Sequence, residues 1–221
     1  MVSTTVEKLS DRGMRLFPLT VDQYHEMMAR GIVPEGEPYE LLDGAIVRKD
    51  RSAEGENPMT IGDDHAYSLM KLTQLNPKLE RLGCHLRPQL PILLPPYNEP
   101  EPDGAIVRGN VEAYAGRKPV GADILCVIEI ADSSLRRDRS VKRRIYSKGG
   151  IHRYLIINLQ DRVIEDNTGP LRNGRYARTE TIDAKGSVTF PTAKGKGLIV
   201  PVARLLPPVR GTIARGSRNG H

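Results

Sequence analysis

Asp103 opens the segment DGAIV within EPEPDGAIV, Glu129 lies inside the apolar run DILCVIEIA, and Lys142 follows in the basic stretch RRDRSVKRR. A carboxylate among Ile, Val and Leu is costly unless positive charge meets it. Two carboxylates brought together repel, unless a hard divalent cation lies between them. Such a cation can stabilise charge developing on a phosphate and lower the pKa of a water. Blander roles stay open from pattern alone: Glu129 as a buried partner for an arginine, and Lys142 as a side chain lying along a helix flank.

Positioning these three falls to two strands and a helix. The run 123–131 is almost wholly apolar, as in a central strand covered on both faces. Alternation puts Ile124, Cys126, Ile128 and Ile130 on one face, and Leu125, Val127, Glu129 and Ala131 on the other. Pro102 favours an extended entry into the GAIV strand, so Asp103 and Glu129 meet at one sheet edge if the strands are neighbours in either sense. A helix is expected over about 138–148, ended by Gly149-Gly150. Its Val141 and Ile145 face the sheet, and Lys142 and Tyr146 lie one ridge round. Lys142 is thus at the border of core and solvent, placed to reach inward toward the carboxylates, while Arg143 and Arg144 turn outward.

Around this centre the pattern reads as one mixed α/β domain. TVDQYHEMMARGI carries Thr20 and Gln23 at capping-box spacing and ends at Gly31. PYELLDGAIV reads as a hairpin turning at Asp43-Gly44. A polar loop, RKDRSAEGENPMTIGDD, leads to a helix over about 64–82 that Asn76-Pro77 kinks or splits. Further strands are expected at CHLRPQLPILL, IHRYLIINL, DRVIED, GRYARTET and SVTF, with one helical turn at PVARLL. A mixed sheet of six to eight strands with C-terminal hairpins accommodates them.

At 221 residues the chain can bury a full core, which must rest on Leu, Ile and Val because Trp is absent and Phe occurs twice. Its two cysteines have no CxxC or CxxH spacing, which argues against a disulfide framework and a zinc knuckle. No apolar stretch reaches membrane-spanning length and no signal sequence is evident, so a cytoplasmic protein is expected. The net charge is +6, and six of the nine residues 136–144 are basic, a patch that attracts polyanions or else a solvated helix face.

YELLDGAIV, the histidine of GDDHAYSLMKL, PEPDGAIV, VIEIADSSLRRDRSVKRRIYSKGGI and YLIINL together resemble, in order, the Uma-type endonuclease family of the PD-(D/E)xK nuclease superfamily. The resemblance spans residues 15–206, leaving a 1–14 extension and a flexible basic tail, 207–221. It implies a restriction-endonuclease-like fold, with a mixed central β-sheet flanked by helices and C-terminal β-hairpins. It further implies Asp103 and Glu129 as metal ligands, Lys142 as the catalytic lysine, and Glu40 and His65 as accessory site residues, Glu40 with a share in the metal. The superfamily's lysine normally lies two residues after the acid, where this chain has Ala131, so Lys142 represents a lysine moved to the next helix. The family's G-I-P-E-Y-W is GGIHRYL here, and Asn158 stands where Asp is common.

The expected function is a Mg²⁺- or Mn²⁺-dependent endonuclease acting on DNA, with Arg136, Arg137, Arg139, Arg143 and Arg144 on the phosphate backbone. A homodimer would suit two-strand cutting. The competing expectation is a non-catalytic nucleic-acid- or protein-binding module on the same fold.

Overall fold

The computed structural model describes residues 17–34, 36–48, 62–171 and 173–209. The 1–14 extension, most of the polar loop between the hairpin and the next helix, and the tail from residue 210 lie outside the described residues.

A six-stranded mixed sheet, ordered β3-β4-β5-β6-β7-β8, forms the frame. Its strands are β3 (Cys84–Pro88), β4 (Gly104–Arg108), β5 (Ile124–Ala131), β6 (Arg153–Asn158), β7 (Val163–Pro170) and β8 (Tyr176–Ile182). Only β5 and β6 pair in parallel, and the helix between them is the crossover such a pair requires. All eight residues of β5 are buried, as its apolar run demands.

The two faces of the sheet carry different layers. On one lie α2 (Asp63–Thr73) and α3 (Asn76–Arg81), with the hairpin β9 (Ser187–Phe190) and β10 (Leu198–Pro201). Leu72, Leu79, Ile106, Ile128, Leu155 and Phe190 pack there. Pro77 falls in the first turn of α3, which divides the expected 64–82 helix in two. β10 has no counterpart among the strands expected from pattern.

On the other face lies α4, residues 135–148, which packs Ile145 and Tyr146 against Val127, Tyr154 and Ile156. It begins three residues before the expected start and is not uniform: an α turn, Leu135–Arg137, a π segment, Asp138–Lys142, and an α segment, Arg143–Lys148.

β5 departs from strict alternation. Ile106 pairs with Cys126 but Val107 pairs with Ile124, a bulge that skips Leu125. Ile124 therefore joins the α4 face and Leu125 joins the opposite face, the reverse of the expected order. Val127, Glu129 and Ala131, beyond the bulge, share one face as expected, and it is the face that α4 covers.

A third layer closes the α4 side. α1 (Val21–Ala29) starts at a complete Thr20–Gln23 capping box, and its Val21 and Tyr24 pack on Leu41 of the hairpin β1 (Tyr39–Leu42) and β2 (Ala45–Arg48). The hairpin turns at Asp43 and Gly44, both at positive φ, as a tight Asp-Gly turn needs. A Cβ on Gly44 would lie 2.5 Å from Pro18 Cβ and 2.6 Å from its Cα. Gly44→Ala should thus combine backbone strain with a clash, costing about 2 kcal/mol or more. A thermal melt unchanged by this substitution would mean the hairpin is not docked as described.

Candidate active site

Lys142 sits at the centre of the site and is 1% exposed, fully inside the fold and not at the border that helical periodicity suggested. Its Nζ lies 2.8 Å from Glu129 Oε1 and 3.1 Å from Glu40 Oε1. Tyr146 donates its hydroxyl to the same Glu129 Oε1 at 2.6 Å. The register explains how these groups meet. Glu129 faces α4 from mid-sheet, and Glu40 shares its strand face with Leu42, which packs in the α4-side cluster. The backbone N–H of Glu101 donates to Glu40 Oε1 at 2.8 Å.

Asp103 adjoins this group from β4. Gly104 pairs antiparallel with Ile128, so Asp103 stands just beyond the last paired residue, and its Oδ2 accepts from Ile130 N–H at 2.8 Å. His65, on the first turn of α2, brings Nε2 to 3.2 Å from the same oxygen. Gln89 N–H donates to the Asp103 carbonyl at 3.2 Å. The structure thus brings Glu40, His65, Asp103, Glu129 and Lys142 into one buried neighbourhood, drawn from four elements and a strand mouth.

Two further residues belong to it. Asp138 is 1% exposed and Tyr146 is fully buried. With Ser134 and Lys142 they form a stripe four residues apart: 134, 138, 142, 146. In an ideal α-helix residues four apart drift round the axis by about 40° per step. The wider π turn, closed by Arg143 N–H on the Asp138 carbonyl, offsets that drift and keeps the stripe facing in. Ser134 Oγ donates to Asp138 Oδ2 at 2.6 Å, and Tyr154 donates to the Asp138 carbonyl at 3.2 Å. The spacing of four was the available signal for Asp138 and Tyr146. Read as an ordinary helix it pointed to a drifting ridge.

The basic run divides. Arg137 is drawn inward. Burial opposes its charge, but Asp138, Glu40, Glu129 and Asp103 outweigh that and hold the guanidinium more firmly protonated. Arg139 makes a forked contact with Glu165, at 3.0 Å from Nε and 2.6 Å from Nη2. Arg144 pairs with Asp43, and half-buried Arg143 donates to Thr179 Oγ1 at 2.8 Å, so it does not simply turn outward. Arg136 is exposed. Arg139, Arg143 and Arg144 line an open groove with Arg175, which the sequence reading did not single out.

Electrostatically the pocket is too negative for its own cations. Burial pushes the Glu129 carboxyl up to about 7; Lys142 opposes, while Asp138, Asp103 and Glu40 add to the rise. Lys142 is raised as well: burial alone would lower it, but Glu129, Glu40 and Asp138 prevail. The two shifts differ in origin: the rise of Glu129 comes first from burial, whereas that of Lys142 comes from the acids around it. Asp138 is raised by burial, against Lys142, Ser134 and Arg137. Asp103 goes the other way. Burial would raise it, but His65, the Ile130 N–H and Lys142 together hold it well below the usual carboxylate range.

The donor chemistry fits a hard divalent cation, being oxygen-rich and net negative. Among the described residues, however, no three His, Cys, Asp or Glu side chains are placed to hold a metal as they stand. The ammonium of Lys142 bridges Glu129 and Glu40 instead.

Residues 21–202 match the model of the Uma2 family, described as "Putative restriction endonuclease". The chain belongs to that family. A crystal structure of "a putative nuclease belonging to DUF820 from Anabaena variabilis ATCC 29413" shares the fold, with a TM-score of 0.61 at 17% identity over 85% of this chain and 97% of that one. No curated protein matches the chain. The Uma2 match spans every element that contributes to the acid pocket, from Glu40 to Tyr146. The mixed α/β architecture with C-terminal hairpins is the nuclease-like fold expected from the sequence. Among the described residues, no helix is long and apolar enough to cross a membrane.

Glu129 supplies a pH test. Its carboxyl titrates near 4.5 when unperturbed and near 7 in the fold, so between those values the folded protein holds an extra proton and loses stability as pH rises. In metal-free protein this loss should amount to about 3 kcal/mol across the interval, and Glu129→Gln should abolish it. Urea denaturation from pH 5 to 8 reads the difference; parallel curves would mean that Glu129 is ionised throughout.

Proposed function

We propose that this Uma2 protein is a divalent-metal-dependent endonuclease that hydrolyses DNA phosphodiester bonds. The observation that carries the reading is the excess of buried carboxylates over cations around Lys142, whose ammonium Glu129, Glu40 and Asp138 hold more firmly protonated despite its burial. Asp103 and Glu129, with Glu40, are the residues that would hold Mg²⁺ or Mn²⁺. When bound, such an ion offsets charge on a scissile phosphate and acidifies a water. His65 fixes Asp103 in its ionised state, and Tyr146 orients Glu129. Lys142 brings an ammonium to the phosphate's developing charge, the role of the moved lysine. Arg136, Arg139, Arg143 and Arg144 offer charge to a phosphate backbone without reading bases, while Arg137 acts on the pocket itself.

One observation favours the alternative of a non-catalytic binding module: Lys142 already pairs with both Glu129 and Glu40, so the pocket has a resident cation of its own. Thermal melts separate the two. For a nuclease, Mn²⁺ should raise the melting temperature of wild type by several degrees and leave Glu129→Gln nearly unmoved. Lys142→Ala should retain most metal binding yet cut DNA at least about a hundredfold more slowly. A wild-type protein indifferent to Mn²⁺, with a strongly destabilised Glu129→Gln, would mark a structural ion pair.

The arginine surface is tested apart from cleavage. Arg143→Ala with Arg144→Ala should weaken DNA binding alike for all sequences and lower its salt dependence by about one to two phosphate contacts. Filter binding in a chelator measures both; an unchanged salt slope would reduce these residues to holding Thr179 and Asp43.

A further inference from the structure

Asp138 carries a buried oxygen that the site leaves idle. Its Oδ2 accepts from Ser134, but among the described residues Oδ1 has no hydrogen-bond partner, although Asp138 is 1% exposed. An unpaired carboxylate oxygen at that depth is expensive, and nothing in the fold of the helix requires it. Asp138 also precedes Lys142 by four residues on the inward stripe, the spacing and order at which an acid and a lysine reach each other along a helix.

Lys142 has a complementary problem. Its ammonium stands 2.8 Å from Glu129 Oε1, a carboxylate assigned above to a metal ion. With that ion bound, a second cation at this distance would meet strong repulsion in a poorly screened interior. The lysine is too deeply enclosed to take its charge into water, so it needs another anion within reach. Arg137, the other cation near Asp138, does not bond to Oδ1 either, and its own buried Nε has no partner among the described residues.

We propose that Lys142 has two stations: Glu129 and Glu40 in the metal-free protein, and Asp138 Oδ1 when Glu129 holds a divalent cation. Asp138 is then a positioning residue, acting through Lys142 and not as a metal ligand. The π segment is the device that puts both on one line. This inference rests on the metal-dependent reading of the site.

Calorimetric titration of Mn²⁺ into the 221-residue chain tests it through a double-mutant cycle. Asp138→Asn keeps the shape and an acceptor for Ser134 while removing the charge. In the wild-type background it should weaken Mn²⁺ binding by about 5- to 150-fold, the usual range for coupled sites. In a Lys142→Met background, where no ammonium needs a new station, the same substitution should change affinity by no more than roughly twofold. An equal loss in both backgrounds would make Asp138 a direct ligand or a remote charge, and no loss in either would make it structural; each overturns the proposal. Should Lys142→Met fail to fold, Asp138→Asn alone decides: its metal-free melting temperature should match wild type while its Mn²⁺-induced rise shrinks. A lowered metal-free melt with an undiminished rise overturns the proposal. A wild type that takes no Mn²⁺ defeats the metal reading itself, whereas a wild type that binds and an Asp138→Asn that binds equally well defeat only the two-station lysine.

Discussion

A single fully buried ammonium among four carboxylates is the interaction on which the rest of this structure depends. Lys142 alone could not be buried, and neither could Glu129 or Glu40. Held together at 2.8 and 3.1 Å they are tolerable, and they tie α4 to β5 and to the β1–β2 hairpin. The tie is not neutral, however. Asp103 and Asp138 add negative charge that Arg137 and Lys142 only partly offset, and burial, with a smaller share from these acids, makes Glu129 hold its proton to about 7. A fold selected for stability alone would do better with apolar residues of similar volume at these positions. The surplus is what a cation-dependent function would need.

The surrounding architecture fixes these groups with little freedom. Glu40 is set by the hairpin, which is laced to the segment before Asp103 by paired backbone bonds between Leu41 and Glu99, at 3.2 and 2.8 Å. Glu99 is in turn gripped by His25 from α1 and by Lys118, so α1 supports the segment that leads to Asp103. Asp103 is held by an N–H from the neighbouring strand and by His65. Rigid strands and a helix, not loops, therefore carry Glu40, Glu129 and Lys142, the arrangement that best preserves a charged constellation.

Much of this was legible in the residues. Capping chemistry marked α1, Asp43-Gly44 marked the hairpin, Pro77 marked the break between α2 and α3, and an unbroken apolar run marked β5 as central. The juxtaposition of Asp103 with Glu129 followed from two apolar strands, each carrying an acid near one end. What stayed hidden had physical causes. A bulge at Leu125 is set by how β4 and β5 pair, which no single strand reveals. The π turn of α4 is held by a tertiary contact, Tyr154 on the Asp138 carbonyl, together with the local bond of the Ser140 hydroxyl to the Arg136 carbonyl, so ideal periodicity misjudged the depth of Lys142 and passed over Asp138. The arginines looked like one patch because charge pairing across the fold, with Glu165, Asp43 and the acid pocket, is invisible in a run of basic letters.

The central claim is that the pocket's excess negative charge serves to bind a divalent ion. Counting protons during Mn²⁺ titration tests it most directly, by calorimetry in buffers of differing ionisation enthalpy. With Glu129 titrating at about 7 in the metal-free fold, binding at pH 7 should expel roughly half a proton from this residue per site, and progressively less as pH is raised toward 9. Binding without proton release at pH 7, or no binding at all, would contradict the account.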